Sequence, residues 1–355
     1  MKLKKTFFGK KILITGHTGF KGSWLTALLI ELGAKVIGVS IDSKKNSHFE
    51  QLKIKNKIVD LRADIRNLKM LKKIINLHKP EFIFHLAAQS LILKSFSEPI
   101  DTWTTNVIGT LNLVECLKLL NKKCFVVIIT SDKCYLNIES KKGYRETDRL
   151  GGLDPYSASK ASAEMVVSSE INSFFKSKYS NIKIATARAG NVIGGGDWAD
   201  FRIIPDCIKA IQAKKVLDIR NPKATRPWQH VLDPICAYLN LAQALKSKKR
   251  INGESFNFGP TKYSNKTVKD LLHEMKLNYL PVKFKIKKKS NTKDKEAKLL
   301  HLNCNKAKRM LGWESKLNFK ETIKLTSEWY SAYLHLKNKI ITMNQIKNFL
   351  KDIKK

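Results

Sequence analysis

Lys11-Ile-Leu-Ile-Thr15-Gly16-His-Thr-Gly19-Phe-Lys-Gly22 is the stretch that decides the fold. Lys11–Thr15 is a short apolar run, which reads as a strand buried on both faces of a parallel sheet. It feeds directly into a loop with three glycines at three-residue spacing. Each glycine answers a separate need: a tight turn, close approach of the backbone to a pyrophosphate, and close contact between helix and strand. From Gly22 to Leu32, Trp24, Leu25, Leu28 and Leu29 fall at helical spacing, and Gly33 closes that helix. Lys35–Ile41 is a second strand. Strand, glycine loop, helix and strand within about 30 residues form the dinucleotide-binding unit. The helix N-terminus there offers unpaired N–H groups and a partial positive charge to phosphates.

The alternation continues along the chain. Glu81–Leu86 and Phe125–Thr130 read as apolar strands separated by a helix over Thr105–Leu120. Ile182–Arg188 is a further strand, preceded by a long helix that carries Tyr156 and Lys160. The pattern predicts an α/β fold, a Rossmann-type doubly wound parallel sheet with a smaller C-terminal substrate-binding lobe. Residues 1–188 are assigned to the dinucleotide-binding domain, with 231–260 returning to it: Val231–Leu245 is helical and Ser255–Gly259 is one more strand. Residues 189–230 and 261–336 make the lobe. The basic tail, 337–355, has an amphipathic trace (Ile340, Ile341, Met343, Ile346, Phe349, Leu350) and reads either as a docking helix or as a frayed end.

Composition narrows the function classes. With 355 residues and 43% hydrophobic content the chain can bury a large core. No apolar run approaches the ~20 residues that span a bilayer. Thr6-Phe-Phe8 leads straight toward a strand, so no signal peptide is expected. The six cysteines (Cys116, Cys124, Cys134, Cys207, Cys236, Cys304) form no Cys-x-x-Cys pair, which predicts reduced thiols, a cytoplasmic location and no metal site. The net charge of +37 raises nucleic-acid binding. Lysine is nevertheless spread along the whole length, and the densest run, Lys283–Lys298, interleaves no aromatic but Phe284. A lysine-biased surface is the simpler reading, with no nucleic acid or membrane as partner, and its field also favours a diphosphate-bearing substrate.

Candidate residues follow from position. Gly16, Thr18, Gly19, Phe20 and Gly22 form the cofactor loop. Asp42, at the end of the second strand, suits a ribose 2′-OH and repels a 2′-phosphate, which argues for NAD over NADP, whereas Ser43-Lys44-Lys45 would welcome that phosphate. Asp64 and Ile65 fall at the adenine edge, unless Asp64 is only a capping residue. Leu86, Ala87 and Ala88, followed by Gln89, end a strand with small residues that let the chain pass close to a cofactor. Thr130-Ser-Asp-Lys133 places Ser131, Asp132 and Lys133 where doubly wound sheets hold their ligands; capping of the strand end is the bland alternative. Tyr156 and Lys160 lie one helical turn apart on one face. That spacing predicts a phenol whose proton is loosened by a neighbouring ammonium, toward a base usable near neutrality.

Taken together, Thr15–Gly22, Leu86-Ala-Ala-Gln89, Thr105-Asn-Val-Ile-Gly-Thr110, Ser131-Asp-Lys133, and Tyr156 with Lys160 resemble the extended short-chain dehydrogenase/reductase family. Arg188-Ala-Gly-Asn-Val-Ile-Gly-Gly-Gly-Asp-Trp198 and Arg226-Pro-Trp-Gln-His-Val-Leu-Asp233 resemble its CDP-glucose 4,6-dehydratase branch. Leu311-Gly312-Trp313 is similar to the family's C-terminal motif, so the resemblance runs from Lys11 to Trp313. The lysines after Asp42 and the basic tail depart from the family pattern.

The resemblance implies a lyase of deoxysugar biosynthesis, of the lipopolysaccharide O-antigen type, with tightly held NAD and a CDP-sugar substrate. It implies a homodimer or homotetramer. Tyr156, Lys160 and Ser131 would act on the C4 hydroxyl, and Asp132 and Lys133 would supply the acid and base that remove water across C5 and C6. It further implies Arg226 as a diphosphate ligand, with Asn191 and Arg202 around the nucleotide; a solvated surface role for Arg226 stays open. Trp198 and Trp228 either flank the base or fill the core, and His230 is read as structural. The alternatives are another nucleotide-sugar 4,6-dehydratase, including a GDP-mannose type, or a 4-epimerase, which does not need an acid–base pair after the strand. A catalytically idle protein binding NAD or nucleic acid is the remaining class.

Overall fold

A computed structural model describes residues 2–219, 221–260, 265–278, 280–286, 299–336 and 338–353. Of the predicted lysine-rich run, Lys283–Ile286 is described and 287–298 lies outside the described residues, as do positions 337 and 354–355 of the tail. Seven parallel strands form the central sheet: β1 Lys11–Thr15, β2 Lys35–Ser40, β3 Val59–Arg62, β4 Phe82–His85, β5 Cys124–Ile129, β6 Ile182–Ala189 and β7 Ser255–Phe258. Their spatial order is β7-β6-β5-β4-β1-β2-β3. The order reverses between β1 and β4, which pair through Ile12 with Phe82 and Thr15 with His85. Ligands of such sheets bind at that reversal, beyond the carboxyl ends of the strands.

Side chains alternate across the pleat as a strand's period of two requires. Ile12 and Ile14 enter one core with Trp24, Leu25 and Leu28. Leu13 enters the other with Ile83, Val126, Leu113 and Val114. Five helices matter for the site: α1 Phe20–Glu31, α2 Pro155–Glu170, α3 Leu232–Ser247, α4 Phe319–His335 and α5 Thr342–Asp352. The helix predicted over Thr105–Leu120 is a π turn, Thr104–Ile108, that continues as an α-helix over Gly109–Leu117.

Three elements differ from the sequence reading. β3 carries Asp60 and Arg62 within four residues, so it shows no apolar run; as an edge strand it is half-buried at most. The segment before β1 is a short helix, Lys2–Phe7, with Leu3 and Phe7 buried, and not a direct lead into the strand. The tail is no frayed end. α5 buries Thr342, Gln345, Ile346, Phe349 and Leu350, and it is tied down by polar bonds. Thr342 Oγ1 hydrogen-bonds with His48 Nε2 at 2.8 Å and accepts from Trp329 Nε1 at 2.8 Å, while His48 Nδ1 meets Ser23 Oγ of α1 at 2.7 Å.

Deleting core atoms from α5 should therefore destabilise the whole fold. Ile346→Ala is expected to lower the unfolding free energy by about 2–5 kcal/mol. Lys351→Ala, on the exposed face, should stay within about 0.5 kcal/mol of the parent. Equal denaturant midpoints for the two variants would contradict the docking of this helix.

Candidate active site

The cofactor loop is shaped by contacts that leave no room for side chains. A Cβ at Gly22 would stand 2.1 Å from the carbonyl oxygen of Gly16, and one at Gly16, whose φ is +76°, would meet Ala87 N at 2.7 Å. β1, the loop, α1 and the end of β4 thus touch backbone to backbone. Gly19 is the N-cap of α1, no side chain caps it, and the first turn holds no acidic residue. The N–H groups of that turn are left for an anion, so the cradle fits a pyrophosphate. The loop is also anchored from below. His17 Nε2 meets Asp60 Oδ1 at 2.8 Å, Thr18 Oγ1 donates to the carbonyl of Asp42 at 2.7 Å, and Phe20 packs in the core of α1.

The residues predicted around the rest of a dinucleotide differ in how free they are. Asp42 is exposed beyond β2, and its carboxylate accepts the Ser43 N–H at 2.7 Å. Leu86 and Ala87 donate their N–H groups to Thr15 O and Thr15 Oγ1, which draws the 86–88 segment along the loop. Asp64 is engaged already. It accepts the Arg66 N–H at 2.8 Å and pairs with the Arg66 guanidinium at 2.6 Å, which holds its carboxyl below the usual range. Ile65 turns its side chain into the core against Gly109, and its carbonyl accepts from Asn112 Nδ2 at 3.1 Å.

The catalytic candidates converge beyond β5. Ser131 opens a 3-10 turn, donating to Asp132 Oδ1 at 3.0 Å and accepting the Lys133 N–H at 3.2 Å. Asp132 is buried and lies against Gly190, where a Cβ would come within 3.0 Å of its Oδ2. Burial pushes its carboxyl up, against the pull of Lys133, Ser131 and Lys21. α2 delivers the other pair. Pro155 occupies its first turn and Asp154 caps it, accepting the Ser157 N–H at 2.9 Å, so Tyr156 and Lys160 start a preset helix. Both side chains are buried. Lys160 makes no hydrogen bond to any described residue, which leaves its ammonium open to a ribose hydroxyl. Burial lowers it to about 8, against the charge of Glu164.

Burial pushes the Tyr156 phenol up to about 12, more than the Ser131 hydroxyl and the Arg202 charge draw it down. A phenolate without water needs more positive charge than the protein alone supplies.

On the substrate side Arg202 is the best placed. Asp197 holds its guanidinium at 2.9 Å, and its charge reaches Tyr156. Asp197 belongs to the 194–198 loop, which is clamped from two directions: Trp24 Nε1 donates to Gly195 O at 2.9 Å, and Tyr330 OH donates to Asp197 O at 2.6 Å. Asn191 is half-buried after β6 and accepts the Gln229 N–H on its carbonyl. Arg226 is buried on a short strand, Thr225–Pro227, and donates to Thr225 O at 2.7 Å. Trp198 sits among Trp329, Tyr330 and Tyr333, and Trp228 donates to Lys266 O, so both fill core or anchor loops. His230 is fully buried on the edge of Trp24, and burial lowers it to about 3.

Three charged residues escaped the sequence reading. Lys21, between two loop glycines, feels the charges of Arg202, Asp132, Lys160 and Asp197, and burial lowers it to about 8. Glu164 and Arg188 form a buried ion pair at 2.7 Å behind the site. Glu164 stands one turn beyond Lys160 and Arg188 interrupts an apolar strand, and those were the signals available.

Comparison with known proteins identifies the family. The family model described as GDP-mannose 4,6 dehydratase matches residues 13–326. A CDP-glucose 4,6-dehydratase of Salmonella typhimurium is 41% identical, covering 96% of each chain. The solved UDP-glucose 4-epimerase of Thermotoga maritima, with UDP-glucose, superposes with a TM-score of 0.76 at 27% identity, covering 92% of this chain and 100% of its own. A dTDP-glucose 4,6-dehydratase of Bacillus anthracis, in complex with NAD, shares the fold with a TM-score of 0.73 at 22% identity, covering 91% and 97%. By the family match and the near full-length relative, the chain belongs to the GDP-mannose 4,6 dehydratase family within the extended short-chain dehydrogenase/reductases.

Proposed function

We propose that this protein is a CDP-glucose 4,6-dehydratase, converting CDP-D-glucose to CDP-4-dehydro-6-deoxy-D-glucose and water with bound NAD. The observation that carries the reading is Asp132, a buried carboxyl held at Ser131 whose charge reaches Tyr156, because an epimerase has no step that uses it. The relative's name supports the CDP-sugar over other nucleotides.

Each residue then has a task. Gly16–Gly22, Asp42, Leu86–Ala88 and Lys160 hold the dinucleotide, and the chemistry NAD supplies when bound is uptake of a hydride from C4 and its return to C6. Tyr156, with Ser131 as partner, takes the proton of the C4 hydroxyl. The resulting ketone acidifies C5. Lys133 removes the C5 proton, and Asp132, kept protonated more readily by its burial, gives a proton to the departing C6 hydroxyl. Arg202, Arg226 and Asn191 take the nucleotide diphosphate, where planar guanidinium groups pair with two oxygens. Self-association is supported by the apolar side chains exposed on neighbouring helices (Phe96, Ile100, Trp103, Ile108 and Met165). Six thiols without a disulfide suit a reducing compartment.

Incubation with CDP-, dTDP-, UDP- and GDP-glucose, followed by mass spectrometry, should show loss of one water from the CDP-sugar, and a preference for another nucleotide would replace the assignment. Tyr156→Phe is expected to lower kcat by about 10²–10⁴-fold. In deuterated solvent Lys133→Met should lose label incorporation at C5; incorporation at the parent rate would remove Lys133 from the role of base. The alkaline side of kcat/KM should fall above about pH 8, where the free protein's Lys160 loses its proton. A flat profile to pH 10 would contradict a charged Lys160 in the reaction.

A further inference from the structure

Behind the site lies a polar cluster that no step of the reaction uses. Tyr156, Lys160 and Glu164 are spaced four residues apart, so they share one face of α2. Glu164 is buried, with its carboxylate accepting from Thr130 Oγ1, from Thr186 Oγ1 at 2.8 Å and from Arg188 Nη2 at 2.7 Å. Arg188 turns its other nitrogen to Tyr135 OH at 2.7 Å, and Tyr135 in turn donates to Asn257 Oδ1 at 2.8 Å. Ser255 Oγ of β7 lies 3.1 Å from Arg188 Nη2. The consequence is geometric. Thr130 immediately precedes Ser131, and Tyr135 directly follows the turn Asp132–Cys134. The segment that carries Ser131, Asp132 and Lys133 is thus gripped at both ends by one ion pair, and that pair is rooted in the helix carrying Tyr156 and Lys160.

We propose that Glu164 and Arg188 are positioning residues for the reaction: they set the spacing between the Ser131–Lys133 turn and the Tyr156–Lys160 pair, and the Glu164 carboxylate serves as counter-charge to the Lys160 ammonium. A structural ion pair could have been placed anywhere between α2 and the sheet. This one bonds to the two residues that bracket the catalytic turn and stands one helical turn from Lys160. Replacing such a pair by apolar residues often leaves stability unchanged, so a buried ion pair is weak evidence of a stabilising role. Burial raises the carboxyl of Glu164, but the charge and hydrogen bond of Arg188, with those of Thr130 and Thr186, hold it below the ordinary range, so it stays ionised. The groups whose charge acts with or against Lys160 are Glu164 on its own helix, Cys134 of the catalytic turn, His85 of β4 and Lys21 of α1. Cys134 is neutral because burial raises its thiol, and His85 is neutral because burial lowers its ring to about 3. Glu164 is therefore the anion in that set.

The inference rests on the dehydratase reading, and the experiment separates the two. If the parent protein releases no water from CDP-glucose, the reading fails whatever the variants do. With an active parent, Thr130→Val and Tyr135→Phe each remove one grip and keep the ion pair. Each is expected to lower kcat about tenfold, with KM and co-purified NAD unchanged, because small misplacements of reacting groups are costly. Thr130→Ser should restore the rate. Glu164→Gln should in addition move the alkaline limb of kcat/KM to lower pH, since an ammonium without its counter-charge loses its proton sooner. Parent-like kcat in both hydroxyl variants overturns the proposal. So does a rate loss that only tracks a lower melting temperature and lost NAD. Should Glu164→Gln not fold, the two hydroxyl variants decide.

Discussion

The close approach of Gly22 to the carbonyl of Gly16 is the constraint on which the rest of the site depends. A separation that would put a Cβ 2.1 Å from that oxygen brings α1 down onto β1. The N-terminus of α1 then points at the reversal of strand order between β1 and β4. Because all seven strands are parallel, every carboxyl end reaches the same edge of the sheet. Gly16, Asp42, Asp64, Leu86, Ser131 and Gly190 follow β1 to β6 in turn. The loop is closed from beneath by His17, whose ring occupies the space beside Gly38: a Cβ there would come within 2.5 Å of it. One set of small residues thereby fixes both the shape of the candidate dinucleotide cradle and where the candidate reacting side chains stand beside it.

Charge in the site is governed by burial more than by pairing. Lys21 and Lys160 are brought near 8, Tyr156 is raised to about 12, and the Asp132 carboxyl is raised, all with desolvation as the largest cause. The ordinary gap between acids and bases narrows as a result. A carboxyl that holds its proton more tightly and an ammonium that releases it more easily are closer to matched partners for proton transfer at neutral pH. The Glu164–Arg188 pair lies deeper still and behaves in the opposite way. The Glu164 carboxylate and both terminal nitrogens of Arg188 are paired and hydrogen-bonded, so the pair's charges persist.

The fold was legible wherever physical pattern and position coincide. β1, β4 and β5 are short, largely apolar runs, and the glycine loop has spacing that few other structures need. β3 was not legible, because an edge strand with Asp60 and Arg62 lacks that signature. The candidate site was legible as a set of residues that the fold brings together, and not as electrostatics. Ser131, Asp132, Tyr156 and Lys160 can be picked from spacing, but the degree of burial that lifts the phenol depends on elements far away in the chain. Asp64 shows the same limit: the sequence contains Arg66 two residues on, yet only the folded turn reveals that the two are paired. Asp132 and Gly190 likewise come from different strands, and their contact could not be inferred from either one.

The C-terminal segment makes the point most fully. Nothing in the spacing of Trp329, Tyr330 or Thr342 speaks of catalysis, and they lie well over a hundred residues beyond Tyr156. Yet a Cβ at Gly195 would fall 1.9 Å from the Trp329 ring, so the 194–198 loop lies flat on α4. Tyr330 takes the carbonyl of Asp197, Asp197 aims Arg202, and the charge of Arg202 is felt at the Tyr156 hydroxyl. From the other side Thr342 ties α4 and α5 to His48, and His48 to Ser23 of α1. The helix that begins at the glycine loop and the loop that holds Arg202 are therefore braced by the same aromatic and hydroxyl contacts. Segments distant in the chain can position a site only if they are rigidly joined to the sheet, and burial of α5 supplies that join.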